Sequence, residues 1–213
     1  MMAEPRPTRR ALIALPLLAA AGPASAQPRT KVVTVLGDSI TAGYGLARAA
    51  AFPAQLQARL AKLGAPATVR AAGVSGDTTA GGLARVDFSV RKDTDLVIVA
   101  LGANDLLQGQ DPRRTRANLD GIIRKLKARR IDVLLTGIDA PVEVGGGYAR
   151  DFNAIFPALA RANGVALYPN LLAGVARTPA LNQADGIHPN ARGAAIIAQR
   201  LAPAVARALA ARR

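Results

Sequence analysis

A chain of 213 residues, half of them apolar, is long enough for one domain with a sizeable core and too hydrophobic to remain disordered. Aromatic residues make up only 3%, so Ala, Leu, Val and Ile must build that core, and an aromatic platform for stacking bases is not expected. The net charge of +14 is spread along the chain in short pairs such as Arg113-Arg114 and Arg129-Arg130, which reads as a solvated basic surface and argues against a nucleic-acid partner.

The first 26 residues have the layout of a cleavable export signal. Thr8-Arg9-Arg10 ends a basic region, "ALIALPLLAAAGPA" follows, and Ala24-Ser25-Ala26 offers an A-x-A cleavage site that leaves Gln27 at the mature N-terminus. The paired arginines fit a twin-arginine signal as well as a general secretory one. The apolar run is shorter than the roughly 20 residues that span a bilayer and contains Pro16, so no lasting membrane anchor is expected. The expected location is periplasmic or secreted. Such compartments permit disulfides, yet the chain has no Cys, so residues 27–213 must be held by their core. With no Cys and a single His, the usual zinc ligand sets are missing, and no metal site is expected.

Beyond the signal, strand-length apolar runs alternate with helical patterns. Strands are predicted near 31–36 (KVVTVL), 67–72 (ATVRAA), 95–101 (DLVIVAL), 131–138 (IDVLLTGI) and 164–168 (GVALY). Between the first two, "FPAQLQARLAKLG" sets Phe52, Leu56, Leu60 and Leu63 on one helical face and stops at Gly64. "TRANLDGIIRKLKARR" does the same with Leu119, Ile122, Ile123 and Leu126, and "ARGAAIIAQRLAPAVARALA" closes the chain. The "VGGG" at 144–147 is read as a loop. This alternation predicts a single three-layer α/β/α domain, with a flavodoxin-like parallel sheet of about five strands covered on both faces.

In such sheets ligands bind beyond the carboxyl ends of the strands. Four polar, glycine-bearing clusters fall there: Gly37-Asp38-Ser39, Gly73-Val74-Ser75-Gly76-Asp77, Gly102-Ala103-Asn104-Asp105, and Asp185-Gly186-Ile187-His188-Pro189-Asn190 before the last helix. Taken alone, Ser39 is either a helix cap or a nucleophile. The other three clusters on the same edge favour the nucleophile, and His188 is the single imidazole available to serve it. Asp38 and Asp105 are read as braces of their turns.

In order and content these blocks resemble the SGNH hydrolases, also called the GDSL esterase and lipase family. "GDSITAGYGL", "VSGDTTAGGLARV", "LGANDLLQG" and "DGIHPNARG" are similar to its arylesterase, thioesterase I and lysophospholipase branch over essentially the whole mature chain. The resemblance implies an enzyme that needs no cofactor and acts on a small-molecule ester or thioester. Ser39 is implied as nucleophile, His188 as general base and acid, and Asp185 as the carboxylate that orients the imidazole. It implies an oxyanion hole made by the amides of Ser39 and Gly76 and the side-chain amide of Asn104. The first block reads Gly-Asp-Ser-Ile where the family name has Leu, and no Gly-x-Ser-x-Gly elbow surrounds Ser39, so the common α/β-hydrolase pattern does not apply.

Leu106, Leu107, Ile138, Ala140, Pro141, Ile187 and Pro189 are the candidates for the substrate pocket, drawn from the segments around Asn104 and His188 and from the 138–152 loop. The expected function is a serine esterase acting on aryl or short-to-medium acyl esters, with thioesters and lysophospholipids as further substrates. Two alternatives stand beside it: a carbohydrate acetylesterase of the same family, and a non-catalytic exported binding module on the same scaffold, which would lack or block one of these positions. No segment marks an obligate interface, so a monomer is expected.

Overall fold

The structure, a computed structural model, describes residues 1–2 and 29–211. The expected export signal, with its Arg9-Arg10 pair and cleavage site, lies outside the described residues. Five parallel strands form one sheet: β1 (Lys31–Gly37), β2 (Ala67–Gly73), β3 (Leu96–Ala100), β4 (Asp132–Thr136) and β5 (Ala166–Tyr168), in the spatial order β2-β1-β3-β4-β5. This is the flavodoxin-like order, whose switch point lies between β1 and its neighbour β3. Register pairs Gly37 with Gly73 on one side and with Ala100 on the other, so the strand ends that carry the first three polar clusters are level.

The central strands β1, β3 and β4 are buried on both faces while the edge strands β2 and β5 are partly exposed, and residue alternation divides the central side chains between two cores. From β3, Leu96, Ile98 and Ala100 join Val33, Val35 and Leu134 on one face, while Val97 and Val99 join Leu36, Val133 and Leu135 on the other. The first face is covered by α2 (Phe52–Lys62) and α8 (Ala191–Ala211). The second is covered by α3 (Thr79–Ser89), α5 (Pro112–Ala128), α6 (Gly146–Asn153) and α7 (Ile155–Asn163). By length and composition α8 would suffice to cross a bilayer, yet Ile197, Leu201, Val205 and Leu209 pack it into the first core.

Helix α5 shows the local logic. The Asp111 carboxylate accepts the Arg113 N–H at 2.9 Å, Pro112 occupies the first turn, where its missing N–H costs nothing, and the spacing 119, 122, 123, 126 gives one fully buried stripe. Each of those four side chains contributes about 2 kcal/mol of burial. Two expectations need correction. Leu63 is 53% exposed, because α2 ends at Lys62 and the chain turns Leu63 outward before it can extend the Phe52, Leu56 and Leu60 face. The 138–152 segment is not all loop: after a 3-10 turn at Val142–Val144, Gly146 and Gly147 begin α6. Burial of Ala149 and Phe152 outweighs the low helix propensity of those glycines.

Candidate active site

At the end of β1 the chain turns at once into a short helix, α1 (Ser39–Ala42). Asp38 caps it by accepting the Ile40 N–H at 3.0 Å, which leaves Ser39 in the first turn, where a backbone N–H has no intrahelical acceptor. Helix α1 lies tightly over the neighbouring strand end: a Cβ at Gly73 would sit 2.3 Å from the Ala42 nitrogen and 2.7 Å from the Asp38 carbonyl oxygen. Asp38 is only 3% exposed, and burial pushes its carboxyl up from 3.8 to about 6, against the downward pull of the Ile40 amide.

From the loop before α8, His188 reaches Ser39. Its Nε2 is 2.9 Å from the Ser39 Oγ, and its Nδ1 is 2.7 Å from the Asp185 Oδ2. The other Asp185 oxygen accepts the backbone N–H groups of Ile187 at 2.9 Å and His188 at 3.0 Å, so this carboxylate is fixed by its own loop. The His188 amide, then its imidazole, then the Ile187 amide hold Asp185 down at about 2. An ionised Asp185 favours the tautomer with the proton on Nδ1, and Nε2 is then free to accept the Ser39 hydroxyl proton. Sequence separation between these partners is 149 residues, bridged by the fold.

The second and third clusters meet through one residue. Gly76 has φ of 80°, the left-handed region that glycine enters without strain, in a turn closed by the Asp77 N–H donating to the Val74 carbonyl at 3.1 Å. The Asp77 carbonyl in turn accepts one N–H of the Asn104 side-chain amide at 2.9 Å. An Asn amide has two such hydrogens, so this bond fixes the group and leaves the second available. Asp105 is the brace: 2% exposed, its carboxylate accepts the Thr79 N–H at 2.8 Å and the Thr115 hydroxyl at 3.1 Å, tying helix α4 (Ala103–Leu107) to α3 and α5.

The pocket candidates divide. Pro189 lines a small recess with Ser39, Ile40, Tyr44, Leu46 and His188. Ile138 and Ala140 do not reach it: they are 6% and 4% exposed and belong to the second core, with Ala140 pinned through its N–H to the Asn153 side chain at 2.7 Å. They flank exposed Asp139 in the segment that follows β4, where the parity of the strand is broken: Val133 and Leu135 face the same core as Ile138 and Ala140. Leu106 packs against the same core, Pro141 leads into the 3-10 turn, and Leu107 and Ile187 are 62% and 51% exposed. Two side chains that the sequence did not single out belong to the site. The Tyr44 ring lies 4.5 Å from the His188 ring, centroid to centroid, and Arg85 grips the Asp77 carboxylate at 2.7 Å. Their signals were weak: a tyrosine five residues after Ser39, and one arginine in the small-residue segment "TAGGLARV".

A hydroxyl, an imidazole and an ionised carboxylate in series at the switch point of a flavodoxin-like sheet define a serine hydrolase of the SGNH type. The sequence model of the "GDSL-like Lipase/Acylhydrolase family" matches residues 35–196, and the chain belongs to that family. It is similar to the protein named Esterase TesA from Pseudomonas aeruginosa, 40% identical over 164 residues that cover 76% of this chain and 82% of that protein. It is likewise similar to "Thioesterase 1/protease 1/lysophospholipase L1" of Escherichia coli K12, 39% identical over 157 residues, 73% of this chain and 74% of that one. Among solved structures, AlinE4, described as an SGNH-hydrolase family esterase, superposes with a TM-score of 0.71 at 43% identity, covering 85% of this chain and 98% of its own.

Proposed function

We propose that the enzyme is an exported serine esterase that cleaves carboxylic esters through an acyl-enzyme on Ser39. Its main support is the unbroken chain Asp185–His188–Ser39, at 2.7 and 2.9 Å, beside the Gly76 turn and the Asn104 amide. In the first half-reaction His188 Nε2 takes the Ser39 proton as Oγ attacks the ester carbonyl. The oxyanion is met by the Ser39 and Gly76 N–H groups and the second Asn104 N–H. Collapse of the tetrahedral intermediate expels the alcohol, which receives its proton from His188. Water then repeats the sequence, with His188 again as base, and releases the acid. Asp185 stays ionised throughout and stabilises the imidazolium.

The recess beside Ser39, walled by Ile40, Tyr44, Leu46 and Pro189, has room for about one water molecule, so the proposed range of aryl or short-to-medium acyl esters rests on the family relationship and not on its volume. Acyl thioesters and lysophospholipids join the substrate range through the relatives named for acting on them. The 1–26 segment supports export, and the proposed working state is a monomer. The test is hydrolysis of an ester panel of graded acyl length, beside a thioester and a lysophospholipid, by wild type and Ser39→Ala, with an organophosphonate probe for the nucleophile. The expected result is hydrolysis and a phosphonyl adduct on Ser39 in wild type, and neither in the variant. Undiminished turnover by Ser39→Ala would rule out the mechanism.

A further inference from the structure

We infer that Arg85 is a positioning residue that holds two of the three oxyanion donors, an inference that rests on the esterase reading above. Arg85 lies on α3, next to the strand ends, and its guanidinium makes four hydrogen bonds in three directions. Nε donates to the Asp77 carboxylate at 2.7 Å, Nη2 to the Gly37 carbonyl at 2.8 Å, and Nη1 to the Ala72 carbonyl at 2.9 Å and the Ser89 hydroxyl at 3.0 Å. Gly37 ends β1 immediately before Asp38-Ser39, and Ala72 lies one residue before the end of β2, so the guanidinium bridges the strand that delivers Ser39 and the strand that delivers Gly76.

Asp77 makes this bridge relevant to chemistry. Its carboxylate is held by Arg85, its N–H closes the turn containing Gly76, and its carbonyl fixes the Asn104 amide. Both side chains are mostly covered, Arg85 at 18% and Asp77 at 10% exposure, so the ion pair is little screened and the carboxylate has no equivalent partner in water. With Arg85 gone, a mostly buried carboxylate would lose its counter-ion and reorient toward solvent. The Gly76 turn and the Asn104 amide would move with it. Donors misplaced by an ångström lose much of their effect on a developing oxyanion, whereas substrate contacts in the recess by Tyr44 and Pro189 are untouched. A lysine can reach Asp77 or a carbonyl but cannot serve three directions from one plane.

The test compares Arg85→Ala, Arg85→Lys and Asp77→Asn with wild type and Ser39→Ala on an aryl acetate, with thermal unfolding measured on each. The expected kcat loss for Arg85→Ala is about 10- to 100-fold with KM nearly unchanged, less for Arg85→Lys, and in part restored by free guanidinium but not by sodium at equal ionic strength. In a cycle with Asn104→Ala, the combined loss should fall short of the product of the single losses, because both changes remove the same donor. Losses that multiply fully, or a kcat that Arg85→Ala leaves intact, overturn the inference. If Arg85→Ala fails to fold, Arg85→Lys and the nearly isosteric Asp77→Asn decide it by the same kcat and cycle criteria. Hydrolysis that survives Ser39→Ala overturns the esterase reading itself, and this inference with it. Hydrolysis that depends on Ser39 but not on Arg85 overturns this inference alone.

Discussion

Replacing Asp38 by Asn removes a charge from a buried position next to the proposed nucleophile while keeping the oxygen that caps Ile40, since Asn is as good a cap as Asp. Burial raises the carboxyl from 3.8 to about 6, so the folded protein keeps a proton that the unfolded chain has already released. Between those two values the unfolded state binds fewer protons. Stability therefore falls as pH rises through that window and is level above it. A rise of this size corresponds to about 3 kcal/mol. The Asp38→Asn variant should match wild type near the bottom of the window and exceed it by up to about 3 kcal/mol at about pH 8, less whatever the charged cap contributed to the Ile40 bond. Urea unfolding followed by circular dichroism, repeated across pH about 4 to 8, measures the difference directly. A gap that stays constant with pH, or a variant weaker than wild type at the alkaline end, would refute the linkage. Turnover measured alongside separates bracing from chemistry, because a brace leaves kcat within roughly threefold of wild type at about pH 8.

A Gly73→Ala change places a Cβ 2.3 Å from the Ala42 nitrogen, so either α1 lifts or β2 shifts. The expected loss is about 1–3 kcal/mol with a fall in kcat, read by thermal unfolding and aryl acetate kinetics, and an unchanged variant would mean that α1 is not held against β2. Asp185, held at about 2, should add no limb of its own to the pH profile of kcat/KM in mildly acid solution, and a limb there that Asp185→Asn abolishes would contradict this. Asp185→Asn should lower kcat by up to about 10⁴, because the amide favours the wrong imidazole tautomer, and activity near wild type in that variant would remove Asp185 from the mechanism.

The fold was legible because a parallel sheet covered on both faces writes itself as near-continuous apolar runs. All five strands lie where such runs occur, and the 119, 122, 123, 126 stripe of α5 is buried as its spacing requires. What failed were inferences about where an apolar face stops. Leu63 fits the periodicity of α2 but follows its last turn, and periodicity carries no information about helix ends. Ile138 and Ala140 were misplaced for the opposite reason. Both lie beyond the last residue of β4 and still turn into the second core, and glycines 145–147 mark a loop by residue type although burial of Ala149 and Phe152 folds Gly146–Asn153 into α6.

The candidate site divides along a chemical line. The roles proposed for Ser39, Asp185, His188 and Asn104 use side-chain atoms that few residue types possess, so their types and order could be read before their positions were known. The side chains that hold them in place work differently. Arg85 donates to the Gly37 and Ala72 carbonyls as well as to Asp77, and Asn104 is fixed by the Asp77 carbonyl. A backbone carbonyl belongs to every residue, so no spacing or residue type in the sequence marks such a partner. Tyr44 meets His188 through ring faces, which is also invisible without the fold that closes 149 residues between Ser39 and His188. The atoms proposed to react with substrate are therefore encoded by identity, while the precision of their placement is encoded in contacts that only the sheet's switch point brings together.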